Sequence, residues 1–348
     1  MTIMMSDFWP VTNENKGLPV RATKVTLPVT LEKIERAAAR ISGHVTRTPL
    51  VRSKSLSEKT GQSVYLKLET RQPIGAFKLR GAMNAILALD ETARKRGLVT
   101  ASTGNHGRAV AYAAQKLGIA ATICMSALVP ANKVEAIRAL GADISIVGTS
   151  QDDAQDEVER LVATRGLTPI PPFDHAEVVA GQGTIGLEII EDLPDLATVL
   201  IPLSGGGLAG GIAAAVKALK PQTHIIGISM QRGAAMHASI MAGKPVAITE
   251  GESLADSLGG GIGLANHVTF ALCRAFLDQI VLVSEDEIAC GIRHAALEEN
   301  EVVEGAAAVG IAAILAGKVK PGGATAIIIS GNNIDAELHR KILAGTAA

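Results

Sequence analysis

The chain has 348 residues, of which 33 are basic and 34 acidic, for a net charge of −1. No global field therefore draws it to nucleic acid or to an anionic membrane surface. Hydrophobic residues at 47% allow a sizeable core in one or two domains, while 2% aromatics remove the stacking platforms of single-stranded nucleic-acid binders. A small molecule remains as the expected partner.

No uninterrupted apolar run reaches bilayer length, and the N-terminus lacks the basic-then-apolar pattern of an export signal. The expected location is the cytoplasm. Cys124, Cys273 and Cys290 are odd in number and lie far apart, which gives neither a disulfide framework nor a zinc knuckle. They read as small buried hydrophobes.

Residues 1–29 show no period and read as a mobile tail. Thr30 caps a predicted helix through about Ile41, with Leu31, Ile34, Ala37, Ala38 and Ile41 on one face. Thr48-Pro49-Leu50 breaks it, and Ser63–Leu68 alternates as a strand. Pro73 and Gly75 then punctuate the chain just before Phe77-Lys78. Leu79, Ala82, Met83, Ala85, Ile86 and Leu89 place an apolar stripe along a helix that starts near Lys78. The positive end of the macrodipole disfavours a cation there, and a neutral amine can form a Schiff base. Taken alone, Lys78 reads as a solvated lysine in a first turn; two motifs further along the chain reverse that reading.

From Leu98 onward, apolar strands alternate with Ala-rich helices. The strands fall at Leu98–Ser102, Ala121–Ser126, Ile144–Gly148, Val199–Ser204, His224–Ser229, Ile280–Val283 and Ala324–Ser330. Helices are predicted at Asn105–Leu117, Asn132–Leu140, Asp152–Arg165, Leu208–Leu219, Glu285–Glu298 and Gly305–Leu315. This is the pattern of an α/β fold with parallel sheets. The proline-rich stretch Thr168–Pro172 suggests a boundary. A small domain over 91–171 would then be inserted between the parts 30–90 and 172–348 of a larger one.

Three turns end such strands, where open parallel sheets bind ligands. Ser204-Gly205-Gly206-Gly207-Leu208 opens a helix, so its N–H groups can converge on a phosphate. The same glycines satisfy G-x-G-x-x-G, but the next strand ends in Ser229-Met230-Gln231-Arg232 and lacks the acid that a dinucleotide ribose needs. Ala101-Ser102-Thr103-Gly104-Asn105-His106-Gly107 gathers hydroxyls, an amide and helix N–H groups able to hold a carboxylate. His106 reads as a structural hydrogen-bonding group rather than a base. Ser330-Gly331-Asn332-Asn333 closes the last strand. Glu304, an acid in an apolar run, calls for a partner or a perturbed pKa, and Asp256 is similar but lies beside a glycine run.

These four ordered motifs resemble those of the fold-type II pyridoxal-phosphate enzymes, the family of threonine and serine dehydratases and serine racemase. Gly75–Lys78, Ser204–Leu208 and Leu254–Gly261 are most similar to its hydroxyectoine-utilisation dehydratase branch. The resemblance implies a tryptophan-synthase-β-like fold: two parallel-sheet lobes with the active site between them. It implies pyridoxal 5'-phosphate carried by Lys78, which also serves as the base at Cα. Phe77 would lie against the pyridine ring, Asn105 would bond its hydroxyl and Ser330 would meet its nitrogen. Ser204, Gly205, Gly206, Gly207 and Leu208 would hold the phosphate. Ser102, Thr103, Gly104, Asn105 and His106 would take the substrate carboxylate.

Thr103 stands where the racemase has a serine as its second acid/base, so Thr103 is a catalytic candidate with racemisation in doubt. The family's divalent-metal site after His224–Ser229 lacks acids here, so no metal is expected. Asn332 replaces a glycine of the usual turn. The resemblance implies a lyase that removes water from a β-hydroxy-α-amino acid, giving an oxo acid and ammonia. The substrate would be threonine-, serine- or 3-hydroxyaspartate-like, or hydroxyectoine-derived, and the assembly a homodimer. An amino-acid racemase, a β-replacement enzyme and a non-catalytic ligand-binding homologue are the alternatives.

Overall fold

The computed structural model describes residues 27–129 and 131–346, so most of the expected tail lies outside the described residues. Its last part is not tail-like: Val29 is buried in the core and Leu27 packs on it. The strands are β1 Leu50–Ser53, β2 Val64–Leu68, β3 Leu98–Ala101, β4 Ala121–Met125, β5 Asp143–Ile146, β6 Thr168–Pro169, β7 Thr198–Pro202, β8 His224–Met230, β9 Gln279–Val283 and β10 Thr325–Ile329. They form a six-stranded sheet ordered β1-β2-β10-β7-β8-β9 and a four-stranded sheet ordered β5-β4-β3-β6. Every pairing is parallel except β1 with β2.

The apolar strands are buried on both faces, as their composition requires. In β10, Ala326 and Ile328 enter one core while Ile327 and Ile329 enter the other. The proline-rich stretch is partly strand: Thr168 and Pro169 pair with Leu98 and Val99 at the edge of the smaller sheet. An edge tolerates proline because no ladder N–H is needed on the open side.

The helix Ala176–Asp192, absent from the predicted elements, packs on both Lys78–Ala88 and Gly207–Leu219. Its interior glycines weaken the helical signal and create the contact. A Cβ on Gly181 would lie 2.6 Å from the Arg80 carbonyl oxygen, and one on Gly183 would lie 2.9 Å from that of Gly211. The cysteine expectation holds for two of three. Burial pushes the Cys124 thiol up to about 11 and Cys273 up to about 12, whereas Cys290 is exposed on the outer face of the helix Glu285–Glu298. Among the described residues no helix is long and apolar enough to cross a membrane, and no three His, Cys, Asp or Glu side chains gather as a metal site.

Candidate active site

Lys78 is the first residue of its helix, delivered by a turn in which Gly75 adopts φ +72°. A Cβ there would fall 2.1 Å from Asn332 Oδ1, so only glycine admits this approach. The segment is stitched to the end of β10: Phe77 N donates to the Ser330 carbonyl at 3.0 Å, and Asn332 N to that of Gly75 at 2.9 Å. Two residues on, Arg80 points away from the cleft into a buried ion cluster. Its guanidinium donates to both oxygens of Glu69 at 2.8 Å and to Glu188 at 2.6 and 2.9 Å. Lys67 joins through Glu188 at 2.6 Å. The start of the helix is thus held from behind.

The Lys78 amine donates to the Pro172 carbonyl at 2.8 Å and lies 5.4 Å from the Phe77 ring centre. Burial lowers its pKa to about 8, against the opposing pull of Glu304. Burial is a cause the sequence did not reveal; it acts in the same direction as the expected helix-end field.

The glycine turn after β7 is bare. Gly206 sits at φ +85° as the N-cap of the helix Gly207–Leu219, and no side chain caps that helix. A Cβ on Gly205 would lie 2.6 Å from the Phe173 ring, one on Gly206 2.7 Å from Met236, and one on Gly207 3.1 Å from Phe173. First-turn N–H groups without a side-chain cap, in a cradle that tolerates no side chain, suit a phosphate.

The turn after β3 leads into the helix Asn105–Leu117, also without a side-chain cap. Asn105 is held on both sides: its Nδ2 donates to the two Glu304 oxygens at 2.9 and 3.1 Å, and its Oδ1 accepts from Asn333 at 2.5 Å. Glu304 therefore has the partner its apolar setting called for, and burial pushes its carboxyl pKa up. His106 shares a 2.8 Å hydrogen bond with the Ile170 carbonyl, and burial lowers its pKa to about 3. That is the structural role expected of it, and a ring neutral at physiological pH.

Phe77, Lys78, Ser102, Thr103, Gly104, Asn105, His106, the run Ser204–Leu208 and Ser330 all line one cleft of about 2200 Å³. Glu304, Pro172 and Phe173 line it too. In the sequence Pro172 is only the end of the proline run and Phe173 the residue after it, and neither signals a site because their partners are distant in the chain. Asp256 stands at the exposed rim, 3.7 Å from Lys133.

A buried amine of lowered pKa beside a bare glycine cradle is the equipment for an aldehyde cofactor with an anionic tail. Residues 41–331 match the pyridoxal-phosphate dependent enzymes, and the chain belongs to that family. It is 63% identical to a Sinorhizobium fredii protein named "Putative threonine dehydratase", across 91% of this chain and 96% of that one. It is 41% identical to the L-threonine ammonia-lyase of Thermotoga maritima, across 90% of this chain and 78% of that one. Maize serine racemase superposes with a TM-score of 0.86 at 32% identity, across 91% of this chain and 98% of that one. The fold is that of the fold-type II enzymes, and the cofactor is pyridoxal phosphate.

Proposed function

We propose that this protein is a dehydratase and ammonia-lyase that removes the elements of water from a β-hydroxy-α-amino acid. One observation carries the reading: the buried amine of Lys78, with its pKa near 8, opens into the same cleft as the glycine cradle and the Ser102–His106 turn. The names of the Sinorhizobium and Thermotoga relatives support it.

When bound, pyridoxal phosphate supplies an electron sink that acidifies the substrate Cα–H. Lys78 would carry the cofactor and, once freed, take the Cα proton; a pKa near neutrality suits both tasks. Ser204 and the N–H groups of Gly205, Gly206, Gly207 and Leu208 would hold the phosphate. Asn105, oriented by Glu304 and Asn333, would bond the ring hydroxyl, with Phe77 against the ring. Ser330 would face the ring nitrogen as a neutral hydroxyl that does not keep it protonated. Ser102, Thr103, Gly104 and the N–H groups of Asn105 and His106 would take the substrate carboxylate. The proton that Lys78 takes from Cα would balance the hydroxide lost from Cβ, so that the elements of water leave the substrate. The released enamine tautomerises and hydrolyses to an oxo acid and ammonia.

In this reading 91–171 act as the small domain, 30–90 with 172–348 as the large one, and a cytoplasmic homodimer is the working form. Threonine is the first substrate to test, followed by serine, 3-hydroxyaspartate and hydroxyectoine-derived hydroxy amino acids. Oxo-acid release from one of them, abolished in Lys78→Ala, is the expected result; no release from any contradicts the reading. The likeness to maize serine racemase favours racemisation as a second reading, with Thr103 as the proton carrier opposite Lys78. Deuterium at Cα in a recovered enantiomer would distinguish it.

A further inference from the structure

Between β6 and the helix Ala176–Asp192 the chain passes through Pro171-Pro172-Phe173-Asp174-His175; Pro172 and Phe173 touch the site, and Asp174 bonds the segment that backs it. The Pro172 carbonyl accepts from Lys78 Nζ at 2.8 Å. The Phe173 ring lies so close to Gly205 that an added Cβ would come within 2.6 Å of it. The Asp174 carboxylate accepts from three consecutive backbone N–H groups, His267 at 3.0 Å and Val268 and Thr269 at 2.8 Å.

Those N–H groups open the helix Thr269–Phe276, which walls the glycine turn on its other side. A Cβ on Gly206 would lie 2.9 Å from Cys273 Sγ and 3.0 Å from Thr269 Cβ. The same helix start already has a local cap, since Asn266 Oδ1 accepts from Phe270 N at 2.8 Å. The carboxylate of Asp174 arrives from 93 to 95 positions away, so it joins two segments as well as ending a helix.

We propose that Asp174 is a positioning residue for the cofactor site. It ties the crossover to the helix Thr269–Phe276, which clamps the glycine turn between that helix and Phe173 and sets the Pro172 carbonyl at the lysine. The inference rests on the proposed roles of Lys78 and the glycine turn. Without the carboxylate, three N–H groups lose their acceptor and the crossover is free to draw away. The glycines have no side chains with which to fill the gap.

The test titrates cofactor-free protein with pyridoxal phosphate and follows the visible absorption of the bound form. Asp174→Ala is expected to weaken binding by about tenfold, the equivalent of one lost cap felt in full at the site. Asp174→Asn keeps one acceptor oxygen and should fall between Asp174→Ala and wild type. The matched control is Asp90→Ala, which removes the Ala93 N–H acceptor at 2.7 Å from a helix remote from the cleft. It should lower the melting temperature and leave cofactor binding unchanged.

If Asp174→Ala binds cofactor as tightly as Asp90→Ala does, or both weaken alike, Asp174 is only a cap and the proposal is overturned. Should Asp174→Ala fail to fold, Asp174→Asn decides: weakened binding supports the proposal and wild-type binding overturns it. A wild-type protein that binds no pyridoxal phosphate would instead overturn the underlying reading of the cleft.

Discussion

In the proposed reading Lys78 carries the chemistry, and its burial sets a pH dependence. Only the neutral amine attacks an aldehyde, and burial brings its pKa down to about 8. The rate at which cofactor-free protein captures pyridoxal phosphate should therefore climb as pH rises through about 8 and level off above it. Stopped-flow absorbance measures this directly; a rate still climbing toward the ordinary lysine range would show the amine to be solvated. Glu304 opposes the shift by favouring the protonated amine. Glu304→Gln removes that support, so the midpoint of the same profile should move to lower pH. Lys78, the glycine turn and the Ser102–His106 turn were all legible in the sequence, because each is a strand, a turn and a helix start within a dozen residues. The Asn105–Glu304–Asn333 contacts were not, since their partners lie 199 and 228 positions away.

At the level of elements, the lysine helix is set by what lies behind it. Arg80 and Glu69 are both buried, paired by two hydrogen bonds at 2.8 Å. Arg80→Met would leave the buried Glu69 carboxylate without its paired cation, with only the neutral donors Thr48 and Gln72 still bonded to it, and truncating a buried pair in this way costs about 3–5 kcal/mol. Chemical denaturation should show a loss of that size; a near-neutral result would mean the cluster rehydrates. Gly181→Ala tests the helix contact itself, where the new methyl would meet the Arg80 carbonyl at 2.6 Å. Overpacking of this kind is worth about 1–3 kcal/mol and should appear as a lower melting temperature. The helix Ala176–Asp192 escaped sequence reasoning for the same reason it packs well. Gly181, Gly183 and Gly186 lower helix propensity but permit backbones to meet, a benefit visible only once the neighbouring helices are in place.

For the whole molecule, the alternation of apolar strands with Ala-rich helices announced the parallel sheets, and the strand ends announced the cleft. How the two sheets meet was not readable. The smaller one reaches the larger through Asn105 to Glu304, through Arg108 to Asn333 and through Lys133 to Asp256. These are polar contacts with no local signature. Together with the apolar packing of the helix Lys78–Ala88 on Asn105–Leu117, they bring the motifs to one cleft, and that a single cofactor site lies there is the central claim. Reduction of the cofactor-loaded protein with borohydride, followed by peptide mass mapping, tests it most directly. One phosphopyridoxyl group on Lys78 is the predicted result; a label on any other lysine, or none, would contradict it.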